Sequence, residues 1–286
     1  MRLFVFGYGF SAQALAKRLL AKGWDVTATW RAEGGAARLA ALGVRPVHAD
    51  DRAAIAGTLK ATQALLVTAP PGPGGCPGLN ALVPALAIAG AFPDWTGYLS
   101  TTGVYGDRQG GWVTETSALA AQSVEGARRV GAERDWREVG RGMGLTVATF
   151  RLPGIYGPGR SALDRLRAGQ ARRVAAPGQV FSRIHVDDLA GGLEASIDRP
   201  RAGGIYNLCD DAPASNSEVV AYAAELLGLA PPPEVALDDA ELSPVALRFY
   251  AESKRVSNAR AKAELSWRPA YPTYREGLRA ILDAGG

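Results

Sequence analysis

LFVFGYGFSAQAL, residues 3–15, decides how the rest of the chain is read. LFVFG (3–7) is a short apolar run, the pattern of a buried strand. From Ala12 the apolar residues fall at 12, 15, 16, 19 and 20, which is one face of a helix, and Gly23 ends it. Between strand and helix lie Gly7, Gly9 and Ala12 in the spacing G-x-G-x-x-A. Gly7 lets the chain turn tightly, Gly9 lets backbone approach a pyrophosphate, and Ala12 lets helix and strand pack closely. The helix N-terminus then offers free N–H groups and a partial positive charge to an anion.

Outward from this turn, strand and helix alternate. WDVTATW (24–30), VRPVHA (44–49), ALLVTA (64–69), GYLSTT (97–102) and LTVATFRL (145–152) read as strands. Helical patterns lie between them at 33–43, 52–60, 79–91 and roughly 119–140. Such alternation predicts an α/β protein, a Rossmann-type doubly wound parallel sheet. After about 155 the pattern loosens into a short helix (161–168), a strand near 180–184, a helix from Asp187, the strand IYNLC (205–209) and a helix at 216–228 opened by Ser215 and Glu218. The expected organisation is a dinucleotide-binding domain over 1–155, its sheet completed by about 180–210. A smaller C-terminal substrate lobe is expected over 156–180 and 211–286.

The second strand ends TATWRAE. A site for NAD places an acid there, about 20 residues after the glycines. Arg31 stands in that position, and an arginine suits the 2′-phosphate of NADP. Glu33 nearby could bind a ribose and blur the choice, so NAD stays possible.

Composition narrows the remaining classes. The chain has 286 residues, 32 basic and 28 acidic, with no run of five basic residues, so a nucleic-acid surface is not expected. ALVPALAIAGAF (81–92) is too short to span a bilayer and contains a proline, and MRLFVFGYGF lacks the long apolar core of a signal peptide. Cys76 and Cys209 have no metal or redox spacing, and two histidines are too few for a histidine-based metal site. The expectation is a cytoplasmic protein with a small-molecule substrate, no metal, no membrane partner and an undetermined oligomeric state.

LSTTGVYGD (99–107), FRLPGIYGPG (150–159), RIHVDDLA (183–190) and IYNLCDD (205–211) occur in an order that resembles the extended short-chain dehydrogenases/reductases, the NAD-dependent epimerase/dehydratase type. SKRVSNARAKAELSWRPAYPTYREGL (253–278) resembles their atypical branch. The resemblance implies that Gly7, Tyr8, Gly9, Phe10 and Ser11 line the pyrophosphate and that Asp50 sits beside the adenine. Ala69 and Pro70 would flank a cofactor ribose, and Pro153, Gly154 and Ile155 would lie against the nicotinamide. Thr101 matches the Ser/Thr that hydrogen-bonds the substrate's reacting oxygen. Asp187 and Asp188 match the family's paired acids and read as the start of a helix, where acids are favourable.

In that family the helix after VYG carries Tyr-x-x-x-Lys on one face. The lysine lowers the tyrosine's pKa and holds the nicotinamide ribose, and the tyrosine exchanges a proton with the substrate as hydride moves. Here no tyrosine occurs between Tyr105 and Tyr156, and no lysine between Lys60 and Lys254. Counting back from Ala132–Glu133 places Glu125 at the tyrosine position and Arg129 at the lysine position. Glu125 is a substitute base or merely half of a surface pair with Arg129, and Arg129 could still bind ribose hydroxyls. Tyr105 is a candidate substitute acid, or else packs beneath the pocket. The YAESK match at Tyr250–Lys254 falls in a stretch that is structural in the family. Arg160, Arg172, Arg173 and Arg183 could face an anionic substrate or be solvated. Two functions follow: an NADP-dependent oxidoreductase or epimerase/dehydratase-like enzyme acting on a nucleotide sugar or other hydroxylated metabolite, or a non-catalytic NADP-binding redox sensor.

Overall fold

A computed structural model describes residues 1–237, 247 and 250–285. In chain order the elements are β1 (Arg2–Phe6), α1 (Phe10–Leu20), β2 (Asp25–Trp30), α2 (Gly35–Ala41), β3 (Arg45–His48), α3 (Arg52–Leu59), β4 (Ala64–Val67), α4 (Pro77–Ala89), β5 (Trp95–Thr101), a 3-10 turn (Thr102–Tyr105) and β6 (Trp112–Val113). There follow α5 (Val124–Met143), β7 (Val147–Leu152), β8 (Gly154–Tyr156), α6 (Ala162–Arg167), β9 (Arg173–Ala175), β10 (Arg183–His185), α7 (Val186–Asp198), β11 (Ile205–Asn207), α8 (Asn216–Leu226) and β12 (Glu234–Ala236). The last described elements are β13 (Arg255–Val256), α9 (Ala259–Leu265) and α10 (Tyr274–Asp283).

The chain divides into two compact units, the first made of 1–101, 124–151 and 190–206. Its centre is a seven-stranded sheet in the order β11-β7-β5-β4-β1-β2-β3. β1 runs parallel to both β2 and β4, so the strand order reverses direction at β1. That reversal is the switch point at which doubly wound sheets open a crevice beyond the carboxyl ends of their strands. The strands are buried over nearly their whole length because helices cover both faces. Phe4, Leu65, Leu82, Leu86, Tyr98 and Trp136 belong to one core cluster, where Tyr98 and Trp136 stack 6.1 Å apart.

The expected helix at 119–140 begins later, at Val124. The residues before it are spent on a turn in which Ala120 N–H donates to the Val104 carbonyl. The helix expected at 79–91 begins earlier, at Pro77, whose missing N–H costs nothing in a first turn, and ends at Gly90 in the left-handed conformation.

The second unit comprises 102–123, 152–189 and 207–286. It is built from parallel two-stranded pairs: β8 with β10, β9 with β12, and β6 with β13. Its helices α6, α8 and α10 each open on a complete capping box, at Ser161, Ser215 and Thr273. Tyr156, Leu163, Tyr222, Tyr274, Leu278 and Ile281 form its core. Asp188, the second acid of VDD, anchors this unit. Its carboxylate accepts from the N–H groups of Ala270 (2.6 Å) and Tyr271 (3.0 Å), and its carbonyl accepts from the Trp267 indole (3.1 Å). The helix-start reading of that acid was incomplete: its position lets it capture a loop 80 residues downstream.

Candidate active site

The glycine turn is built as its spacing predicts. Gly7 has φ +94, and a Cβ there would fall 2.9 Å from Ala69 N and from Thr68 Oγ1. Its N–H donates to Thr29 Oγ1 (2.9 Å) and its carbonyl accepts from Thr68 Oγ1 (2.6 Å), which ties the turn to β2 and to the end of β4. Gly9 is the N-cap of α1, and no side chain caps that helix. A Cβ on Gly9 would meet nothing within 4 Å, so open space faces uncapped helix amides. Phe10 and Ser11 form the first helical turn. The arrangement fits a pyrophosphate: backbone donors, a favourable helix dipole and room that any side chain would fill.

Beside the turn lies a cavity of about 650 Å³ within the first unit, lined by Gly7, Tyr8, Trp30, Arg31, Arg38 and Ala69 among others. Burial raises the pKa of the Tyr8 phenol. Arg31, the residue expected at the 2′-phosphate, lines the cavity and also pairs with Asp50, Nη2 to Oδ1 at 3.2 Å. Asp50 N–H in turn donates to His48 Nδ1 (3.3 Å), and the His48 ring meets Trp30 edge-on at 4.7 Å. Asp50, expected beside the adenine, is therefore tied to the end of β2. Pro70 follows β4; the prolyl side of the cavity is made by Pro77 instead. Arg38 carried no signal in the sequence beyond its basic charge, because its approach to the cavity depends on the tilt of α2.

Thr101 ends β5 and is half-buried. Arg129, on α5, donates from Nη1 to the Leu99 carbonyl and lies 3.4 Å from the Tyr98 hydroxyl, its guanidinium 5.9 Å from that ring's centre. Burial pushes the Tyr98 phenol up to about 12, against the lowering effect of the Arg129 charge. Glu125 is exposed one turn earlier on α5. Further along the same helix, Glu133 accepts from Ser100 Oγ (2.5 Å) and pairs with Arg151 (2.8 Å), all three buried. This interior pair fixes how α5 lies against β5 and β7, and so sets the register that brings Arg129 to Leu99.

Tyr105, weighed as a substitute acid or as a residue packed beneath the pocket, takes a packed position. It is fully buried in the second unit and its hydroxyl donates to Asn207 Oδ1 at 2.7 Å. Asn207 is held in turn by Glu115 on its N–H (2.8 Å) and by the Ser257 carbonyl on Nδ2 (3.1 Å). The YAESK match is structural as well. Lys254 pairs with Glu252 (2.5 Å), while Ser253 N–H donates to Asp107 (2.7 Å) and Gln179 Nε2 to the Glu252 carbonyl (2.7 Å).

Three of the four arginines weighed for an anionic substrate are engaged by the protein itself. Arg183 spends its guanidinium on the carbonyls of Phe181 (2.8 Å), Ala214 (2.9 Å) and Ser215 (3.3 Å). Arg173 is engaged by Ser217, the Pro232 carbonyl and Glu234. Arg172 reaches its neighbour's carbonyl. Gly154 and Ile155 lie in β8, paired with Arg183 and Ile184 of β10, with Pro153 immediately before them. No group of three potential metal ligands occurs among the described residues, and no described helix is long and apolar enough to cross a membrane.

Protein YeeZ of Escherichia coli K12 is 32% identical over 241 residues, which cover 80% of this chain and 84% of that protein. A solved structure of a conserved protein of unknown function from Silicibacter pomeroyi superposes with a TM-score of 0.90 at 44% identity, covering 100% of this chain and 99% of that one. UDP-glucuronic acid 4-epimerase from Bacillus cereus, solved with NAD, has a TM-score of 0.79 at 17% identity, covering 99% and 96%. The chain belongs to one family with YeeZ, and its fold is that of the NAD-bound nucleotide-sugar epimerases and dehydratases. The Rossmann-type parallel sheet is the fold it shares with these structures. A 3-diazoavenalumate denitrifying reductase from Streptomyces is 32% identical over 145 residues, 47% of this chain and 46% of that enzyme. No family model matches the chain.

Proposed function

We propose that the protein is an NADP-dependent oxidoreductase or epimerase/dehydratase-like enzyme acting on a small hydroxylated or carbonyl-bearing metabolite, a nucleotide sugar being the first class to try. The observation that carries this reading is the open, uncapped turn at Gly9, set beside a cavity with arginines on its β2–α2 wall. A bound nicotinamide coenzyme supplies or takes the hydride. The chain's own residues do the rest. Amides of the first turn of α1 hold the diphosphate, and Arg31 faces the adenosine ribose. The Thr101 hydroxyl holds the substrate oxygen. Arg129, steadied by the Leu99 carbonyl and the Tyr98 ring, offers its remaining N–H groups to ribose hydroxyls and stays protonated throughout.

The test is calorimetric titration with NADPH and NADH, followed by coenzyme absorbance across nucleotide sugars and simple ketones. NADPH binding with turnover of one carbonyl class is expected. A folded chain that binds neither coenzyme would sink the proposal, and tight binding with no turnover on any substrate would favour the redox sensor.

A second reading rests on the pair positions holding Glu125 and Arg129, with Tyr105 bound to Asn207. An ionised carboxylate only accepts hydrogen bonds, and a guanidinium does not release a proton. Acceptors that need no proton from the protein suit such a site. An aryl diazonium group is one: it takes hydride at the expense of its C–N bond and leaves as arene and dinitrogen. The relative named as a denitrifying reductase makes this class worth testing. Equimolar loss of NADPH and release of dinitrogen, with ketones inert, is the outcome that supports it.

A further inference from the structure

Two arginines line the β2–α2 side of the cavity, and they are in different electrostatic states. Arg31 is paired, its Nη2 3.2 Å from Asp50 Oδ1, with both side chains more than half exposed. Arg38 sits in the last turn of α2, and among the described residues no carboxylate stands within ion-pair distance of it. Its placement is set by the start of that helix. A Cβ at Gly35 would come within 3.0 Å of Trp30 Cβ, so α2 lies directly on the end of β2, with Leu39 buried beneath it.

An anion arriving here meets these two cations on unequal terms. To engage it, Arg31 must leave Asp50, and that carboxylate then stands unpaired near a new negative charge. Arg38 gives up nothing. Resting on the coenzyme assignment above, we infer that Arg38 carries the larger share of selection for a 2′-phosphate, and that Asp50 acts as a counter-charge restraining Arg31. The pair thereby lowers the preference for the phosphorylated coenzyme and leaves the unphosphorylated one able to compete, since its ribose hydroxyls make no demand on Arg31. A charge-assisted hydrogen bond is equivalent to about ten- to a hundredfold in affinity. An exposed ion pair is equivalent to about two- to fivefold. The restraint is thus a modest correction on Arg31 and absent on Arg38.

The experiment is calorimetry on the full chain with two fragments, 2′,5′-ADP and 5′-AMP, whose affinity ratio reports the 2′-phosphate alone. Circular dichroism confirms that each variant is folded. Arg38→Ala is expected to lower the ratio about tenfold or more, and Arg31→Ala by less. Asp50→Asn is expected to raise it about two- to fivefold, a gain that disappears in Arg31→Ala/Asp50→Asn. The inference is overturned if Arg31→Ala collapses the ratio while Arg38→Ala leaves it intact, or if Asp50→Asn leaves it unchanged. Equal binding of both fragments to the unaltered chain overturns it together with the preference for NADP, while keeping a nicotinamide coenzyme. Binding of neither fragment ends both.

Discussion

Arg151 and Glu133 meet 2.8 Å apart in the interior of the first unit, each side chain almost sealed from solvent, with Ser100 donating to the same carboxylate. Neither group can be removed alone without leaving a buried charge uncompensated. Glu133→Ala should therefore cost about 3–5 kcal/mol of unfolding free energy, measured by urea denaturation. The double replacement Glu133→Leu/Arg151→Met should recover much of that loss, because two well-packed apolar groups need no partner. Equal losses in the single and double variants would show that the pair is not the source of the effect.

The two glycines of the turn make opposite predictions. Gly7→Ala must distort backbone at φ +94 against Ala69 and Thr68, so it should lower the melting temperature. Gly9→Ala meets no protein atom and should leave the melting temperature nearly unchanged. The methyl would occupy the space assigned to the diphosphate, so coenzyme affinity should fall at least tenfold by titration. Unchanged affinity in that variant would remove the turn from the site.

Tyr105→Phe separates a packing role from a catalytic one. It deletes the donor to Asn207 Oδ1 and should cost about 1–3 kcal/mol of stability, as expected for a buried acceptor left unpaired. Turnover per folded molecule should stay within about twofold.

Thr101→Val keeps shape and removes the hydroxyl assigned to the substrate oxygen. It should lower kcat about 10²-fold, the effect of losing one positioned donor, with coenzyme affinity unaltered. A loss confined to coenzyme binding would reassign this residue.

Asp210 gives a pH signature. Burial pushes its carboxyl up to about 8, against the attraction of Arg183, and its Oδ2 has no hydrogen-bond partner among the described residues. In the unfolded chain it releases its proton near the ordinary 3.8. Between these values the folded state binds more protons, so stability is greatest at the acid end and falls as pH rises towards 8. The slope from this one group is at most about 1.4 kcal/mol per pH unit. Asp210→Asn should flatten that part of the stability profile in denaturant titrations.

The sheet was legible because its signals are local. Apolar runs bounded by glycine give strands, and Gly7, Gly9 and Ala12 mark the turn on their own. Glu125, Arg129 and Glu133 lie on one helix, as the counting from Ala132–Glu133 supposed. What stayed hidden depends on contacts across long sequence separations. Arg183 read as either substrate-facing or solvated, and only the approach of the 214–215 backbone shows its guanidinium to be spent on carbonyls. Tyr105 read as a substitute acid or a packing residue, and Asn207, 102 residues away, holds its hydroxyl. Arg38 required the seating of α2 on Trp30, which no periodicity records.

The grip of Asp188 on the backbone at Ala270 and Tyr271 has a consequence for biogenesis. During synthesis this carboxylate emerges long before its two amide donors exist as folded chain. Until residues 267–271 have left the ribosome, these contacts of Asp188 cannot form. Every residue of the first unit lies at or before 206 and so emerges earlier than that loop. One aspartate thus joins a helix start made midway through synthesis to a loop delivered near its end.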